Sequence, residues 1–339
     1  MFNYSQISSN LLKDLPERTK DVILRRFGLE NGERETLEAI GKSYGISRER
    51  VRQIEENGFL KLKPKAKNYQ KVFQYFSDQL KTSGNLKKED SLLSQLGGRR
   101  FGPNVFFLLT LEDQFERFLE TPEFYALWTI DSDSLVSVNN IITFLCNKFR
   151  EINQPLEFEN IFKETKFSFE KPLTSQILFS YLEISKIIQL NPEGLYGLRE
   201  WPEINPKGVK DLAYLVFKKE RRPLHFTEVT KLINKSKIFE NYPRPALPQT
   251  VHNELIRDSR FVLVGRGLYA LREWGYEPGV VKDIISKILR ESKKPMLKEE
   301  IVEEVLKQRL VKKNTILLNL NNEKYFFKDS QGRYTPKLF

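Results

Sequence analysis

Arg48, Glu49, Arg52 and Gln53 are the residues whose types and spacing could do chemistry. Arg48 and Arg52 stand four apart, and so do Glu49 and Gln53, so on a helix all four project from one side, away from Val51 and Ile54. Arginine can bond a guanine edge with two donors, and glutamine can do the same for adenine. Glutamate can accept from a cytosine amino group. Such a face with an apolar back suits the major groove of duplex DNA. A solvated charged face is the plainer alternative.

The elements that must position these side chains surround them. Leu15-Pro16-Glu17 opens a helix, because proline is tolerated in a first turn and an acid suits the positive helix end. Val22, Ile23 and Phe27 give it an apolar side, and Gly28 can end it in a left-handed cap. Asn31-Gly32 marks a turn. Thr36 caps a second helix, with Leu37, Ile40 and Tyr44 facing inward. Gly45 breaks that helix, and Ser47 caps a third. Two short helices joined by a glycine-containing turn make a helix-turn-helix. Gly41 fits a place where two helix backbones approach closely.

The segment Thr36-Leu37-Glu38-Ala39-Ile40-Gly41, followed by Tyr44-Gly45-Ile46-Ser47-Arg48-Glu49-Arg50-Val51-Arg52-Gln53-Ile54-Glu55, resembles the region-four domain of primary bacterial sigma factors. Arg25-Arg26-Phe27-Gly28-Leu29 resembles it too. In that family the domain reads the minus-35 promoter element and docks on the flap of the RNA polymerase beta subunit. The resemblance implies that Arg48, Glu49 and Gln53 touch bases, and that Arg50, Arg52 and Thr36 lie near phosphates. After Glu55 the family continues with a small residue, Lys, Ala, Leu and Arg, whereas this chain has Glu56-Asn57-Gly58-Phe59-Leu60. Basic side chains at the back of the helix are therefore missing. Gly58 is expected to weaken the helix by roughly 1 kcal/mol relative to Ala. Both changes lower the expected DNA affinity and part of the polymerase contact. The match begins almost at Met1, so no sigma segment for melting DNA is expected upstream.

The 339 residues are enough for two to four domains. A hydrophobic fraction of 40% supports real cores. The net charge of +11 favours an anionic partner, most simply nucleic acid, although solubility alone could explain it. The one cysteine, Cys146, excludes an internal disulfide framework and fits a reducing cytoplasm. No apolar run reaches membrane-spanning length, and the first residues carry no signal-peptide pattern. A soluble, cytoplasmic, nucleoid-associated protein is expected.

Beyond a short basic stretch at Pro64-Lys65-Ala66-Lys67-Asn68, read as a linker or as a continuation of the third helix broken at Pro64, the chain repeats itself. Leu195-Tyr196-Gly197-Leu198-Arg199-Glu200-Trp201 recurs as Leu268-Tyr269-Ala270-Leu271-Arg272-Glu273-Trp274. A fainter copy is Phe124-Tyr125-Ala126-Leu127-Trp128, and the last is Gly332-Arg333-Tyr334-Thr335-Pro336. Each unit reads as three helices followed by a strand, a turn and a strand, which is a winged helix. In the best-defined unit the helices are Val209 to Glu220, one capped by Thr227, and Pro248 to Asp258, with the hairpin turn at Gly265-Arg266-Gly267. In the first, Gly102-Pro103 opens the third helix and Thr121-Pro122 forms the turn. The expected fold is mainly α with small β-hairpins: an N-terminal helix-turn-helix followed by tandem winged helices. The expected segments are 1–68, 69–131, 132–204, 205–277 and 278–339.

The third winged helix resembles the HARE-type helix-turn-helix, also found at the N-terminus of the RNA polymerase delta subunit. Pro223-Leu224-His225-Phe226-Thr227-Glu228-Val229, Thr250-Val251 and Arg260 to Leu271 carry the likeness. It implies association with DNA or polymerase without a fixed set of contact residues.

Other motifs are weaker. Gly265-x-Gly267-x-x-Ala270 imitates a dinucleotide loop, but that loop needs a helix directly after it, and a strand is expected here. His225, His252 and Cys146 have no metal-ligand spacing, and a structural role suits both histidines. Tyr196, Trp201, Tyr269 and Trp274 could stack on bases, though packing under the wing is the favoured reading. Gln249, Asn253, Arg257 and Arg266 could face DNA. Gln176 and Ser180 offer little, and Asn314 to Asn321 is polar but neutral.

No catalysis, cofactor or metal is expected. The expected partners are promoter-like double-stranded DNA and, through the beta flap, the RNA polymerase core. Thr36, Arg48, Glu49, Arg50, Arg52 and Gln53 form the expected DNA site. Lys61 and Lys63, with Lys65 and Lys67, add affinity that falls with salt. The rival reading is a polymerase accessory protein, delta-like or a sigma competitor, that does not read DNA. An enzyme subunit in DNA modification, where HARE-type modules also occur, lacks paired carboxylates with a lysine at nuclease-like spacing.

Overall fold

A computed structural model describes residues 2–166, 168–169, 173–235 and 245–337. Two compact units, Met1–Glu200 and Trp201–Phe339, divide the chain. The architecture is mainly helical with small antiparallel hairpins, as the sequence leads one to expect.

The first unit opens with a helix absent from the sequence reading, α1 (Tyr4–Leu12). The Asn3 side chain caps it by accepting from the Gln6 amide at 3.0 Å. Tyr4, Ile7, Leu11 and Leu12, spaced at helical period, are its buried side. Helix α2 (Glu17–Phe27) ends in the left-handed Gly28, and α3 (Leu37–Tyr44) in the left-handed Gly45. Helix α4 (Arg48–Ala66) starts at Ser47, whose hydroxyl accepts from the Arg50 amide at 3.2 Å. A Cβ on Gly41 would stand 2.7 Å from the Ile46 carbonyl oxygen, so only glycine lets the α3–α4 turn close this tightly.

A linker or a break at Pro64 is expected from the sequence, and neither occurs: α4 runs through Pro64 to Ala66 as one helix of 19 residues. Pro64 is exposed, while Leu62 and Ala66 on either side of it are fully buried, so packing offsets the missing proline donor. Gly58 also sits inside α4, and its role differs from the expected weak point. A Cβ there would stand 2.8 Å from Ile23 Cδ1 and 2.9 Å from Thr19 Cγ2, so the missing side chain lets α4 lie close against α2.

Val22, Ile40 and Val51 form a small core within the three-helix reader. The other sides of α2 and α4 belong to a larger core shared with the next helices, α5 (Gln70–Thr82) and α6 (Glu89–Leu109). There Phe27, Phe59, Phe106 and Phe107 cluster with ring centroids 5.3 to 6.2 Å apart. Such pairs contribute about 0.5–1.5 kcal/mol each beyond area burial. The reader is thus fused by its core to the element that follows it.

That element is a winged helix. Strands β1 (Leu86–Lys88), β2 (Glu116–Phe118) and β3 (Leu127–Thr129) form an antiparallel sheet in the order β1-β3-β2. Its third helix begins earlier than expected: α6 bends at Gly98, with φ 59°, rather than opening at Gly102-Pro103. Thr121-Pro122 lies in the β2–β3 connection, where the Thr121 hydroxyl accepts from the amides of Glu123 and Phe124. The second winged helix has α7 (Ser134–Ile152), α8 (Phe158–Thr165), α9 (Ser175–Ile184) and the hairpin β4 (Ile188–Leu190) with β5 (Tyr196–Leu198). A single bridge from Leu156 to Tyr196 takes the place of its first strand.

In the second unit, α10 (Val209–Glu220), β6 (Leu224–His225), α11 (Phe226–Lys235), α12 (Pro248–Arg257), β7 (Phe261–Gly265) and β8 (Leu268–Leu271) make the third winged helix, with sheet order β6-β8-β7. Thr227 is not its cap: α11 starts at Phe226, and His225 Nδ1 lies 2.8 Å from the Thr227 hydroxyl. The fourth repeats the pattern with α13 (Val281–Ser292), β9 (Met296–Leu297), α14 (Lys298–Gln308), α15 (Lys313–Leu320), β10 (Phe326–Lys328) and β11 (Arg333–Pro336). Its hairpin turn spans Asp329 to Gly332, as read from the sequence. Its expected end at Phe339 lies outside the described residues. The buried Arg309 joins the two winged helices by donating to the carbonyls of Leu263, Glu277 and Gly279.

Candidate nucleic-acid interface

Helix α4 is held for presentation by a polar network on α2 and α3. Arg25 grips Glu35 with two bonds, Nε–Oε1 at 2.8 Å and Nη2–Oε2 at 2.7 Å, and donates to the Ser43 hydroxyl at 2.8 Å. Tyr44 donates to Asp21 at 2.8 Å. These bonds fasten the α2–α3 connection to both helices. Arg25 holds the Glu35 carboxyl below the usual carboxylate range. Burial instead raises Glu55, on the inner side of α4, although Arg26 lies 3.7 Å away. Arg34 stacks over the Phe106 ring at 3.6 Å and so seats the turn before Thr36 on the first winged helix.

The expected DNA residues lie where the helix pattern puts them. Arg48, Glu49, Arg50 and Arg52 are exposed and Gln53 is half-buried, all on α4, with Val51 buried behind them. Thr36 is exposed at the start of α3, and its hydroxyl accepts from the Ala39 amide at 3.1 Å. One property was not legible in the sequence: the groups that could read bases hold one another. Arg52 is forked by Glu49, with Nε–Oε2 at 2.9 Å and Nη2–Oε1 at 2.7 Å, and it also bonds Glu56. Arg50 donates to Gln53 Oε1 at 3.0 Å. Arg48 forms no ion pair among the described residues. The Glu49 carboxyl lies below its ordinary pKa, chiefly through its bond to Arg52.

The lysines beyond them divide into two groups. Lys61 is exposed, and neither it nor Lys67 forms an ion pair among the described residues. Lys63 pairs with Asp113 of the first winged helix, and Lys65 with Asp14 at 2.6 Å. Leu60 is 70% exposed on α4.

In the winged helices, Gln249, Asn253 and Arg257 share the exposed side of α12, and Arg266 is exposed at the tip of its wing. Ser180 is buried and bonds the Gln176 carbonyl, so it faces away from any ligand. Tyr196 and Tyr269 are buried, and Trp274 packs on Phe217. A strand follows Gly267, which removes the dinucleotide-loop reading. The two histidines meet through one ring: His225 and His252 each lie 4.5 Å from Phe226, centroid to centroid. Among the described residues no His, Cys, Asp and Glu group could hold a metal ion. No described helix is long and apolar enough to cross a membrane.

Comparison with known proteins agrees with this arrangement in two places. Residues 11–64 match the family model of sigma-70 region 4. Residues 208–274 match that of the HARE-HTH domain, a helix-turn-helix module whose description names ASXL and restriction endonuclease. Among similar proteins, RNA polymerase sigma factor sigB of Arabidopsis thaliana is 53% identical over 58 residues, which are 17% of this chain and 10% of that protein. RNA polymerase sigma-C factor of Nostoc sp. is 52% identical over 60 residues, 17% of this chain and 14% of its own. RNA polymerase sigma factor SigA of Bacillus sp is 46% identical over 54 residues, 16% and 14% respectively. The chain thus spans only 10% to 14% of the length of these relatives.

Proposed function

We propose that this protein is a sigma-like, DNA-binding transcription factor that reads promoter DNA through α4 and associates with RNA polymerase. The observation that carries this reading is the outer face of α4, exposed on a packed and hydrogen-bonded helix-turn-helix frame, within residues 11–64 that match sigma-70 region 4. In this reading Arg48, Glu49 and Gln53 meet base edges, and Thr36, Arg50 and Arg52 lie beside phosphates. The Glu49–Arg52 and Arg50–Gln53 pairs exchange for contacts to DNA on binding. Segments 1–68, 69–131, 132–204, 205–277 and 278–339 act as one reader and four winged helices. The protein works at the nucleoid and performs no catalysis.

The test is binding to a duplex with a minus-35-like element and to a scrambled duplex at physiological salt. Preference for the first that disappears in Arg48→Ala and Gln53→Ala supports the reading. Equal binding to both duplexes by the unaltered protein sinks it.

One observation favours a second reading. The acids Glu49 and Glu56 occupy the guanidinium of Arg52 in the free protein. A polymerase accessory protein that occupies the beta flap without reading DNA would keep these pairs. In that case core polymerase binding persists and is indifferent to Arg48→Ala and Gln53→Ala.

A further inference from the structure

The net charge of the protein belongs to one of its two units. Residues 1–200 hold 28 Lys and Arg against 28 Asp and Glu, whereas residues 201–339 hold 28 against 17. The sigma-like reader therefore sits in a unit with no net charge, and the whole excess of +11 lies in the other.

Within that second unit, the fourth winged helix has a groove of about 450 Å³. Its floor is α13, which contributes Lys282, Ser286 and Arg290 at successive turns, about 6 Å apart along the axis. Its wall is formed where the hairpin closes, by Tyr325 before β10 and Lys337 after β11, joined by the Lys337 amide on the Tyr325 carbonyl at 2.8 Å. The Lys282 ammonium lies 4.4 Å from the centre of the Tyr325 ring.

The acids at this groove are already engaged. Asp283, in the first turn of α13, accepts from the amide of the N-cap residue Val280 at 2.9 Å. Glu291 lies 3.7 Å from Lys287, which also pairs with Glu277 at 2.9 Å. Lys282, Arg290 and Lys337 form no ion pair among the described residues. Three cations without an acid partner among the described residues therefore converge on one groove. The groove takes nothing from α15, whose single charged residue is Lys313 in its first turn and whose exposed surface includes Leu318 at 74%.

We propose that this groove binds the phosphate backbone of duplex DNA, and that the C-terminal winged helix engages DNA through α13 and the hairpin ends rather than through its third helix. The site supplies sequence-independent affinity, because ammonium and guanidinium groups on phosphate carry no base information. It stands whether or not α4 reads bases.

The test uses the full chain and a random-sequence duplex without a minus-35-like element, titrated by fluorescence anisotropy at several KCl concentrations. The variant combining Lys282→Ala, Arg290→Ala and Lys337→Ala is expected to lower the slope of log affinity against log salt by about 2–3. Lys298→Ala with Lys307→Ala, which removes two lysines already paired with acids on α14, leaves the slope unchanged. Lys282→Arg with Arg290→Lys retains the slope of the unaltered protein. A triple variant with an unaltered slope, or a control pair that lowers it equally, overturns the proposal.

Discussion

Gly58 of α4 lies against Ile23 of α2 so closely that a Cβ would stand 2.8 Å from the Ile23 Cδ1 atom. Two opposing effects meet there. Alanine would raise helix propensity by about 1 kcal/mol. The same methyl would overfill a packed contact, which costs about 1–3 kcal/mol. Gly58→Ala is expected to lower the urea midpoint. Ile23→Val removes the atom in question, so Gly58→Ala should cost less, or stabilise, in that background. A Gly58→Ala protein more stable than its parent in both backgrounds would show that α2 and α4 are not in this contact.

Arg52 is shared by Glu49 and Glu56, so part of its charge is neutralised before any DNA arrives. Glu56→Gln removes one of the two acids without shortening the side chain. Affinity for duplex DNA should rise roughly two- to fivefold at low salt, the scale of an exposed ion pair. The gain should shrink as salt rises. Anisotropy titrations at about 50 and about 300 mM KCl check both statements.

Arg48 and Arg50 are neighbours with different expected duties. Arg48→Ala should weaken binding to the preferred duplex by roughly ten- to a hundredfold and leave scrambled DNA little affected. Arg50→Ala should weaken both duplexes alike and lower the salt slope by about one. Competition binding with the two duplexes separates these outcomes.

Glu35 and Glu55 should give stability opposite dependences on pH. Glu35 is held below its ordinary pKa by Arg25, so the folded state binds fewer protons than the unfolded one. Its contribution is present above the ordinary carboxylate range near about pH 4.3 and is lost as pH falls through and below it. Because the pair is about a third exposed, the contribution is small. Glu55 is raised by burial, so the folded state holds its proton more tightly. Its contribution is present in acid and is lost as pH rises from about 4.3 through its raised value. Urea midpoints of Glu35→Gln should fall less steeply with acidification than those of the unaltered protein. Those of Glu55→Gln should fall more steeply.

Gly267 turns the third winged helix's hairpin with φ 71°, and a Cβ there would stand 2.4 Å from His225 Nε2. Gly267→Ala should destabilise by about 1–3 kcal/mol, from left-handed strain and contact with the ring. In a His225→Ala background the strain and a 3.3 Å approach to the Phe226 ring remain, so the additional cost should fall without vanishing. Thermal melts of the four proteins test this coupling.

The sequence by itself determined the elements whose signals lie within a turn or two of each other. Ser47, Gly45 and Gly41 specify the helix-turn-helix corner, because caps and close backbone approaches depend on immediate neighbours. The spacing of Arg48, Glu49, Arg52 and Gln53 settled which side of α4 they share. The recurring Leu-Tyr-x-Leu-Arg-Glu-Trp marked the ends of two hairpins. Even α1 had a legible signal in Asn3, Tyr4, Ile7 and Leu11.

Only the tertiary structure decided the partners brought together from far apart in the chain. Lys63 meets Asp113 and Lys65 meets Asp14 because α4 continues past Pro64 into a shared core. Arg34 finds Phe106, and Gly58 serves as a contact point. Local propensity sees Gly58 and Pro64 only as helix breakers. The burial of Leu62 and Ala66 and the close approach of α2 outweigh that propensity, and both depend on residues tens of positions away.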